Sequence, residues 1–258
     1  MDLQLKDRIA IVGGGSEGIG FGIAHRLATE GARVAIMSRR EAKLSAASER
    51  LLKETGAEIL AMEGDCRKAA DIERVVRTTV EQFGALDMVV NNDGAPPVGP
   101  IESFDDAAWH AAVDQNLMYV VRMVRCALPH MKARGAGSFL NIMSAGTIEP
   151  RPRIALSTAT WAGVLSYSKT LSIELGAQNI TINTILSGLI TTPRTTKTAA
   201  KTPDPAAYRA RLTAEIPLGR YGEPGDIGAL AALLLSPLGS YITGTAIRVD
   251  GGMMRSFR

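Results

Sequence analysis

A run of closely spaced glycines near the start of the chain has the residue types needed to bind a phosphate. The run covers 13–20 and reads Gly-Gly-Gly-Ser-Glu-Gly-Ile-Gly, directly after the apolar stretch 8–12. Glycines let the backbone turn tightly and approach a pyrophosphate, which the free N–H groups at a helix N-terminus attract. A β-branched run before the glycines and a helical pattern after them predict a dinucleotide-binding turn, with a packing turn as the alternative. The residues predicted to contact the cofactor here are Gly14, Ser16, Gly18, Ile19 and Gly20.

The end of the second apolar run indicates which dinucleotide binds. An acidic residue about 20 positions after the glycines would hydrogen-bond the adenosine ribose of NAD. That place holds Ser38, which is followed by Arg39 and Arg40. Because the arginine fork donates well to phosphate oxygens, these residues favour the 2′-phosphate of NADP(H) over NAD(H). Glu17, inside the glycine turn, favours the opposite choice, and solvated surface arginines are the alternative.

The glycine turn must be held by a sheet, and the chain alternates short apolar runs with longer helical stretches. The predicted strands are 8–12, 33–37, 58–62, 88–91, 138–143, 181–185 and 246–249. Segments with helical spacing, such as 20–29 and 72–83, separate them. This alternation predicts an α/β fold with one doubly wound parallel sheet of about seven strands flanked by helices. Because no linker or repeat interrupts the pattern, we predict a single domain over 1–258.

The composition limits the classes of function. The 258 residues contain 29 Lys+Arg and 26 Asp+Glu, and a net charge of +3 is too balanced for an electrostatic nucleic-acid binder. No apolar run reaches the roughly 18 residues of a membrane-spanning helix, and the charged segment 1–8 lacks an apolar signal core. We therefore predict a cytoplasmic protein without a membrane partner. Cys66 and Cys126 make neither a disulfide framework nor a zinc site, so no metal is expected.

One segment, at about 189–216, is rich in Thr, Lys, Ala and Pro and is predicted to be irregular. A long irregular segment in a compact domain is often a lid over a ligand. We predict that it covers a small-molecule substrate and tolerates anionic groups, with a solvated loop containing a helix as the alternative. Its net charge of +3 comes from Arg194, Lys197, Lys201, Arg209 and Arg211 against Asp204 and Glu215.

Several motifs together resemble the short-chain dehydrogenase/reductase family over essentially the whole chain. The glycine turn is similar to the family's T-G-x-x-x-G-I-G, with Gly13 in place of Thr. Residues 91–94 resemble N-N-A-G, with Asp93 in place of Ala, and 187–192 resemble P-G-x-x-x-T, with Ser187 in place of Pro. The resemblance implies a Rossmann fold, a dinucleotide site and a homo-oligomer. The further cofactor contacts that it implies are Asp65, Asn92, Gly94, Gly188, Ile190 and Thr192.

The family's chemistry uses Asn, Ser, Tyr and Lys, and this chain resembles it only in the first two. Asn116 looks like the family's Asn, and Ser144 looks like the serine that orients the substrate carbonyl. The family's Tyr follows that serine by thirteen positions, where this chain has Ser157, and its Lys follows four later, where this chain has Trp161. Later motifs match the family without a gap, so the register is firm. These four residues are the predicted catalytic positions.

The missing Tyr and Lys bear directly on the reaction that the resemblance implies. Ketone reduction puts a proton on oxygen, and the family's tyrosine supplies it because a neighbouring ammonium lowers its pKa from about 10. A serine hydroxyl is a far weaker acid, and the Trp161 indole carries no positive charge. General acid–base catalysis contributes about 10²–10⁴-fold in rate. The sequence therefore predicts that ordinary carbonyl reduction is severely weakened.

Other side chains are candidates for the missing proton transfer. Tyr119, Tyr208 in the predicted lid, and Asp93 beside the expected cofactor site are the three that we consider. Tyr167 and Lys169 lie further along the predicted helix and face another direction, so we interpret them as packing or subunit-contact residues. A hydrolase is not favoured, because the serines have no evident histidine base.

Two hypotheses about function remain. The first is an atypical NADP(H)-linked oxidoreductase acting on a small carbonyl, alcohol or related substrate, with the proton coming from water, Ser157, another side chain or the substrate. The second is a pseudoenzyme that binds a dinucleotide, or a structural subunit in a hetero-oligomer with an active relative. The glycine turn favours the first hypothesis, and the loss of both Tyr and Lys favours the second. Non-redox chemistry on this scaffold has no specific residue in its support.

Overall fold

The computed structural model describes residues 1–94 and 96–256, which form one parallel sheet covered by helices on both faces. The sheet order is β3-β2-β1-β4-β5-β6-β7, with every neighbouring pair parallel. The predicted doubly wound α/β fold is confirmed, and the predicted strands differ from the observed ones by at most one or two residues at an end. The strands are β1 (Ile9–Gly13), β2 (Arg33–Ser38), β3 (Ile59–Glu63), β4 (Met88–Asn91), β5 (Gly137–Ser144), β6 (Ile180–Ser187) and β7 (Ala246–Val249).

Two apolar layers hold the helices to the sheet. Alternate residues of a strand face opposite sides, so Ile9 and Ile11 pack on one side while Ala10 and Val12 pack on the other. The first layer holds α3, α5 and α6, and the second holds α1, α2 and α9. The helices are α1 (Gly18–Thr29), α2 (Glu41–Thr55), α3 (Ala69–Phe83), α4 (Asp106–Ala112), α5 (Tyr119–Arg134), α6 (Ala155–Leu175), α7 (Pro193–Ala199), α8 (Pro205–Thr213) and α9 (Pro224–Leu235).

The strand order reverses at β1, which lies between β2 and β4. The chain builds β1, β2 and β3 in one direction and then returns to build β4 to β7 on the other side of β1. In open α/β sheets a crevice forms outside the carboxyl ends of the strands at such a point, and ligands bind there. The fold thus brings together the residues that follow β1, β2, β4, β5 and β6.

The segment 189–216 differs from the irregular structure predicted for it, because it contains the two short helices α7 and α8. The Thr192 hydroxyl accepts a hydrogen bond from the Thr195 amide at 3.2 Å and caps α7. The Asp204 carboxylate caps α8 by accepting from the Ala207 amide at 2.9 Å. A proline follows each cap as the first helical residue, where its missing N–H costs nothing.

Across the ranges 1–94 and 96–256, no helix is both long enough and apolar enough to cross a membrane.

Candidate functional site

A cavity of about 430 Å³ lies at the carboxyl ends of the central strands. One end of it, here the arginine end, is formed by Ser38, Arg39 and Arg40, and the other, here the serine end, by Ser144, Ser157 and Trp161. Its size falls in the range of small-molecule and cofactor sites. The predicted cofactor contacts on its wall are Gly14, Ser16, Gly18, Ile19, Ser38, Arg39, Arg40, Asn92, Gly94, Gly188, Ile190 and Thr192.

Two predicted cofactor contacts, Gly20 and Asp65, lie outside this wall. A Cβ on Gly20 would overlap the carbonyl oxygen of Gly14, so this glycine allows the turn and α1 to pack closely. The Asp65 carboxylate binds its neighbour Arg67, whose Nη2 lies 2.6 Å from Oδ2. That hydrogen bond, against partial burial, lowers the pKa of Asp65.

The glycine turn has the backbone geometry that an anion cradle needs. Gly18 begins α1 with φ of +60°, a left-handed conformation that favours glycine. The side-chain amide of Asn92, the residue after β4, donates to the Gly13 carbonyl at 3.0 Å and holds the turn against the neighbouring strand. With the N-terminus of α1 directed at the cavity, these contacts hold the turn where a pyrophosphate would bind.

The arginine end contains an ion-pair cluster that the sequence did not reveal. Arg40 Nη2 lies 2.7 Å from Glu17 Oε1, and the Lys43 ammonium contacts the other oxygen of the same carboxylate. Although partial burial opposes the shift, the Lys43 and Arg40 hydrogen bonds and charges lower the pKa of Glu17. The Ser16 hydroxyl donates to the Ser38 hydroxyl at 3.0 Å. Arg40, predicted to read a 2′-phosphate, is therefore already bound to a carboxylate.

The serine end is built from the end of β5, the end of β6 and the start of α6. Ser144 and Ser187 are paired across β5 and β6, and the Ser187 hydroxyl donates to the Met143 carbonyl at 2.9 Å. The Ser144 hydroxyl oxygen accepts from the Gly146 amide at 3.1 Å, which leaves its hydrogen free to donate. Ser157 is buried at 2% exposure, and Trp161 follows it by one helical turn on α6. The structure brings these predicted residues together on one wall.

Asn116, the remaining predicted catalytic residue, lies off this wall. It sits in a π-helical turn, Val113–Met118, that interrupts the helix between α4 and α5. Its amide donates to the Thr160 hydroxyl at 2.7 Å. Asn116 lines a second cavity of about 20 Å³, and Trp161 lines both cavities. Asp93, Gly94, Ile142 and Met143 line both cavities as well, so these residues and Trp161 lie between Asn116 and the main cavity.

Known proteins resemble this chain over nearly its whole length. A profile of the family described as Enoyl-(Acyl carrier protein) reductase matches residues 14–254. The 3-oxoacyl-[acyl-carrier-protein] reductase FabG of Chlamydia muridarum is 34% identical over 254 residues, covering 98% of this chain and 100% of that protein. The 3beta-hydroxysteroid dehydrogenase 1 of Eggerthella lenta is 34% identical, with coverage of 97% and 95%. L-Sorbose reductase from Gluconobacter frateurii, solved with NADPH and L-sorbose, superposes with a TM-score of 0.96 at 30% identity and full coverage of both chains.

The chain belongs to the short-chain dehydrogenase/reductase family of oxidoreductases.

The cavity residues fit the NADP(H) that this family's L-sorbose reductase holds. The glycine turn offers a cradle whose close packing a Cβ at residue 20 would destroy. Arg39 lies on the wall at the arginine end, and no carboxylate of the described residues lies within 4 Å of it. Ser144 has a free hydroxyl hydrogen at the opposite end. The described ranges contain no group of three His, Cys, Asp or Glu side chains that would hold a metal ion.

Tyr119 does not reach the main cavity as a proton donor. Its side chain is buried at 2% exposure, and its hydroxyl makes no hydrogen bond of ordinary geometry with the described residues. Burial raises the pKa of Tyr119 well above its ordinary value. A buried phenol with a raised pKa is a weaker acid than the tyrosine that the family uses.

Asp93 does lie on the cavity wall, but its carboxylate is already bound. Its Oδ2 accepts from the Cys66 thiol at 2.7 Å, and burial raises the pKa of that thiol. Tyr208, the remaining tyrosine candidate, lies off the cavity wall, and Arg211 stacks 5.5 Å from its ring. Tyr167, predicted to be a packing or subunit-contact residue, packs against the core between sheet and helices. The Lys169 ammonium lies 3.4 Å from the Gly244 carbonyl, next to β7.

Several residues on the wall were missed by sequence reasoning. Arg194, in the first turn of α7, enters the main cavity, whereas the other cations of 189–216 lie outside its wall. Cys66 and Ile154 also line it. Lys43 lies off the wall but pairs with Glu17, and its position three residues after Arg40 was a signal that could have placed it at this end. Arg194 had none beyond the local charge.

Proposed function

We propose that this protein is an atypical NADP(H)-linked oxidoreductase of a small carbonyl or alcohol compound, working without the family's tyrosine and lysine. The observation that carries the proposal is the composition of the serine end. Ser157 and Trp161 stand on the cavity wall beside Ser144, where a proton would be delivered. Neither replacement side chain is an acid of useful strength near neutral pH.

The arginine end and the glycine turn would hold the cofactor. Arg39 offers a guanidinium to a 2′-phosphate, and the turn at 13–20 offers backbone N–H groups to the pyrophosphate. Gly188 and Thr192 also line the cavity, and Thr192 lies beside Gly18 of the glycine turn. When bound, NADPH supplies a hydride to the substrate carbon. The preference for NADP(H) over NAD(H) rests on Arg39 and on the NADPH in the L-sorbose reductase structure.

The serine end would position the substrate oxygen rather than protonate it. Ser144 can donate its free hydroxyl hydrogen to a carbonyl, because its oxygen is already fixed by the Gly146 amide. Ser157 can relay a hydrogen bond but is too weak an acid to release its proton unaided. The proton at oxygen therefore comes from water or from the substrate itself. This favours substrates whose reduction needs little acid assistance.

The substrate wall suits a compact molecule with an apolar part. Val98, Ile154 and Trp161 give the cavity apolar surface. The segment 189–216, which contributes Ile190, Thr192 and Arg194 to the wall, would cover this site. Relatives are named as reductases of L-sorbose and of 3-oxoacyl-[acyl-carrier-protein], so both classes belong in a substrate screen. Assembly as a homo-oligomer and a cytoplasmic location stay predictions.

A non-catalytic role is the second candidate, and one observation favours it. The Asn116 amide is bound to the Thr160 hydroxyl, and Asn116 lies off the wall of the main cavity. A chain with Ser and Trp in place of the proton donor could bind a dinucleotide and stabilise an active relative in a hetero-oligomer. This candidate predicts nucleotide binding without turnover.

The experiment that tests this proposal puts the family's tyrosine and lysine back at positions 157 and 161. Ser157→Tyr with Trp161→Lys should raise kcat/KM for NADPH-dependent reduction of L-sorbose or a 3-oxoacyl thioester by about 10²–10⁴-fold. The control is Ala159→Tyr with Ala162→Lys, which adds the same side chains on exposed positions of α6. No gain in the first variant, with NADPH still bound, would exclude a merely missing proton donor and would favour the non-catalytic role.

A further inference from the structure

The Glu17 side chain lies among the cations of the arginine end and does not cap α1, the helix that it precedes. It is the N-cap residue of α1, yet its carboxylate makes no capping hydrogen bond. The side chain reaches across to the start of α2, where one oxygen accepts from Arg40 at 2.7 Å and the other contacts Lys43. Glu17 and Arg40 both line the main cavity. The carboxylate thus lies inside the predicted cofactor site.

This arrangement matches the way a protein binds a phosphate. A guanidinium and an ammonium on opposite oxygens of one anion are the contacts that a phosphate monoester would accept. Glu17 supplies the anion from within the chain, so Arg40 and Lys43 are both ion-paired, and one of their two positive charges is offset, before any ligand arrives. Arg39 is left as the cation at this end with no carboxylate of the described residues within 4 Å.

We propose that Glu17 is an internal competitor of the 2′-phosphate of NADP(H) and weakens the chain's discrimination against NAD(H). This inference rests on the proposed dinucleotide function. A 2′-phosphate entering the arginine end meets Arg39 directly, but it must displace the Glu17 carboxylate to reach the other two cations. If the carboxylate stays, it repels the phosphate. NAD(H) carries no 2′-phosphate and does not disturb the ion pairs.

The charges at this site are large enough to matter at the distances involved. Two unit charges separated by about 4 Å interact by roughly 1 kcal/mol even in water, which corresponds to about a fivefold change in affinity. Glu17 and Lys43 are each only 35% exposed, so screening by water is incomplete. Removing one negative charge from the site should therefore raise the affinity for a phosphate by at least about fivefold.

The experiment uses ligands that isolate the 2′-phosphate from the rest of the cofactor. Adenosine 2′,5′-bisphosphate carries it, adenosine 5′-monophosphate lacks it, and neither reaches the serine end. Calorimetric titration of the purified protein and of Glu17→Gln should show the bisphosphate bound at least about fivefold more tightly by the variant. Binding of the monophosphate and of NADH should change less than about twofold. Glu58→Gln removes the same charge from the ion pair with Arg33, away from the cavity, and should change the affinity for neither ligand.

A second variant, Arg40→Gln, tests the same competition if Glu17→Gln disturbs the turn. Arg40→Gln should weaken bisphosphate binding only slightly in the wild-type background, because Glu17 is already paired with that guanidinium. In the Glu17→Gln background the same change should cost several times more. Equal effects in both backgrounds, or an unchanged ratio of bisphosphate to monophosphate affinity in Glu17→Gln, would overturn the inference. Failure of the wild type to bind NADPH and NADH would instead remove the proposed function on which it rests.

Discussion

The hydroxyl oxygen of Tyr119 occupies the space that a side chain on Gly13 would need. A Cβ built on residue 13 would overlap this oxygen and would lie 2.8 Å from the Asn92 carbonyl oxygen. The family's motif has Thr at that position, and here glycine and a buried tyrosine stand together. The two residues belong to β1 and α5 and meet where the strand enters the glycine turn.

Gly13→Ala should destabilise the fold through this contact. Overpacking of a tight interior costs about 1–3 kcal/mol, and backbone on the other side limits relaxation. Tyr119→Phe removes the overlapping oxygen and leaves the nearest ring carbon 3.2 Å from the new Cβ. Denaturant unfolding of the four proteins in this cycle should show a smaller cost of Gly13→Ala in the Tyr119→Phe background. The same cost in both backgrounds would mean that the carbonyl of Asn92, and not the hydroxyl, excludes a side chain.

Arg39→Gln should weaken the binding of NADPH without weakening that of NADH. A charge-assisted hydrogen bond to a phosphate contributes about 1.5–3 kcal/mol, so the Kd for NADPH should rise by about tenfold or more. The Kd for NADH should change little, because NADH offers no 2′-phosphate. Fluorescence titration measures both constants, and Arg77→Gln on α3 is a control for removing a cation away from the cavity. A parallel loss of both nucleotides would place Arg39 elsewhere than at the 2′-phosphate.

Arg194→Gln should weaken both nucleotides to the same extent. The first turn of α7 adjoins the glycine turn, since a Cβ on Gly18 would lie 3.3 Å from the Thr192 side chain. Arg194 therefore enters the cavity near the expected pyrophosphate, which NADPH and NADH share. We expect a loss of about three- to tenfold for each in the same titration. Lys197→Gln, on the same helix but off the wall, should leave both constants unchanged, and a selective loss of NADPH would contradict this assignment.

The Glu17 ion pairs should make part of the free energy of unfolding depend on pH. Because Lys43 and Arg40 lower the pKa of Glu17 below its ordinary 4.5, their contribution is present above that value. It is lost as the pH falls through the lowered folded-state pKa. The free energy of unfolding of wild type minus that of Glu17→Gln should therefore be constant from about pH 6 to 8 and should shrink towards pH 3. Partial exposure limits the difference to about 1 kcal/mol or less, and a difference that grows in acid would contradict the pairing.

The sheet could be predicted from the sequence because each buried parallel strand is a short, continuous run of apolar residues. Apolar, β-branched runs such as 88–91 and 246–249 have the same bounds in the structure. The helices α7 and α8 were missed, since both are shorter than ten residues and have weak apolar periodicity. Their start signals were nevertheless present, as Thr192-Pro193 and Asp204-Pro205 each combine a capping side chain with a proline at the first helical position.

The contacts that change the interpretation of the site could not be predicted, because they join residues far apart in the chain. Glu17 and Arg40 are 23 positions apart and meet only because β1 and β2 pair in parallel and end side by side. Asn116 and Thr160 are 44 positions apart, and their hydrogen bond requires α6 to pack on the π-helical turn. Residue types gave the charges and the hydroxyls, but the partner of each depended on the tertiary fold.

Direct titration of the purified protein with NADPH and NADH tests the central claim, that the chain binds NADP(H) in the cavity between the arginine end and the serine end. We expect saturable binding of NADPH, weaker binding of NADH, and loss of that difference in Arg39→Gln. No binding of either nucleotide at about millimolar concentration, which corresponds to a binding free energy of only about −4 kcal/mol, would contradict the account.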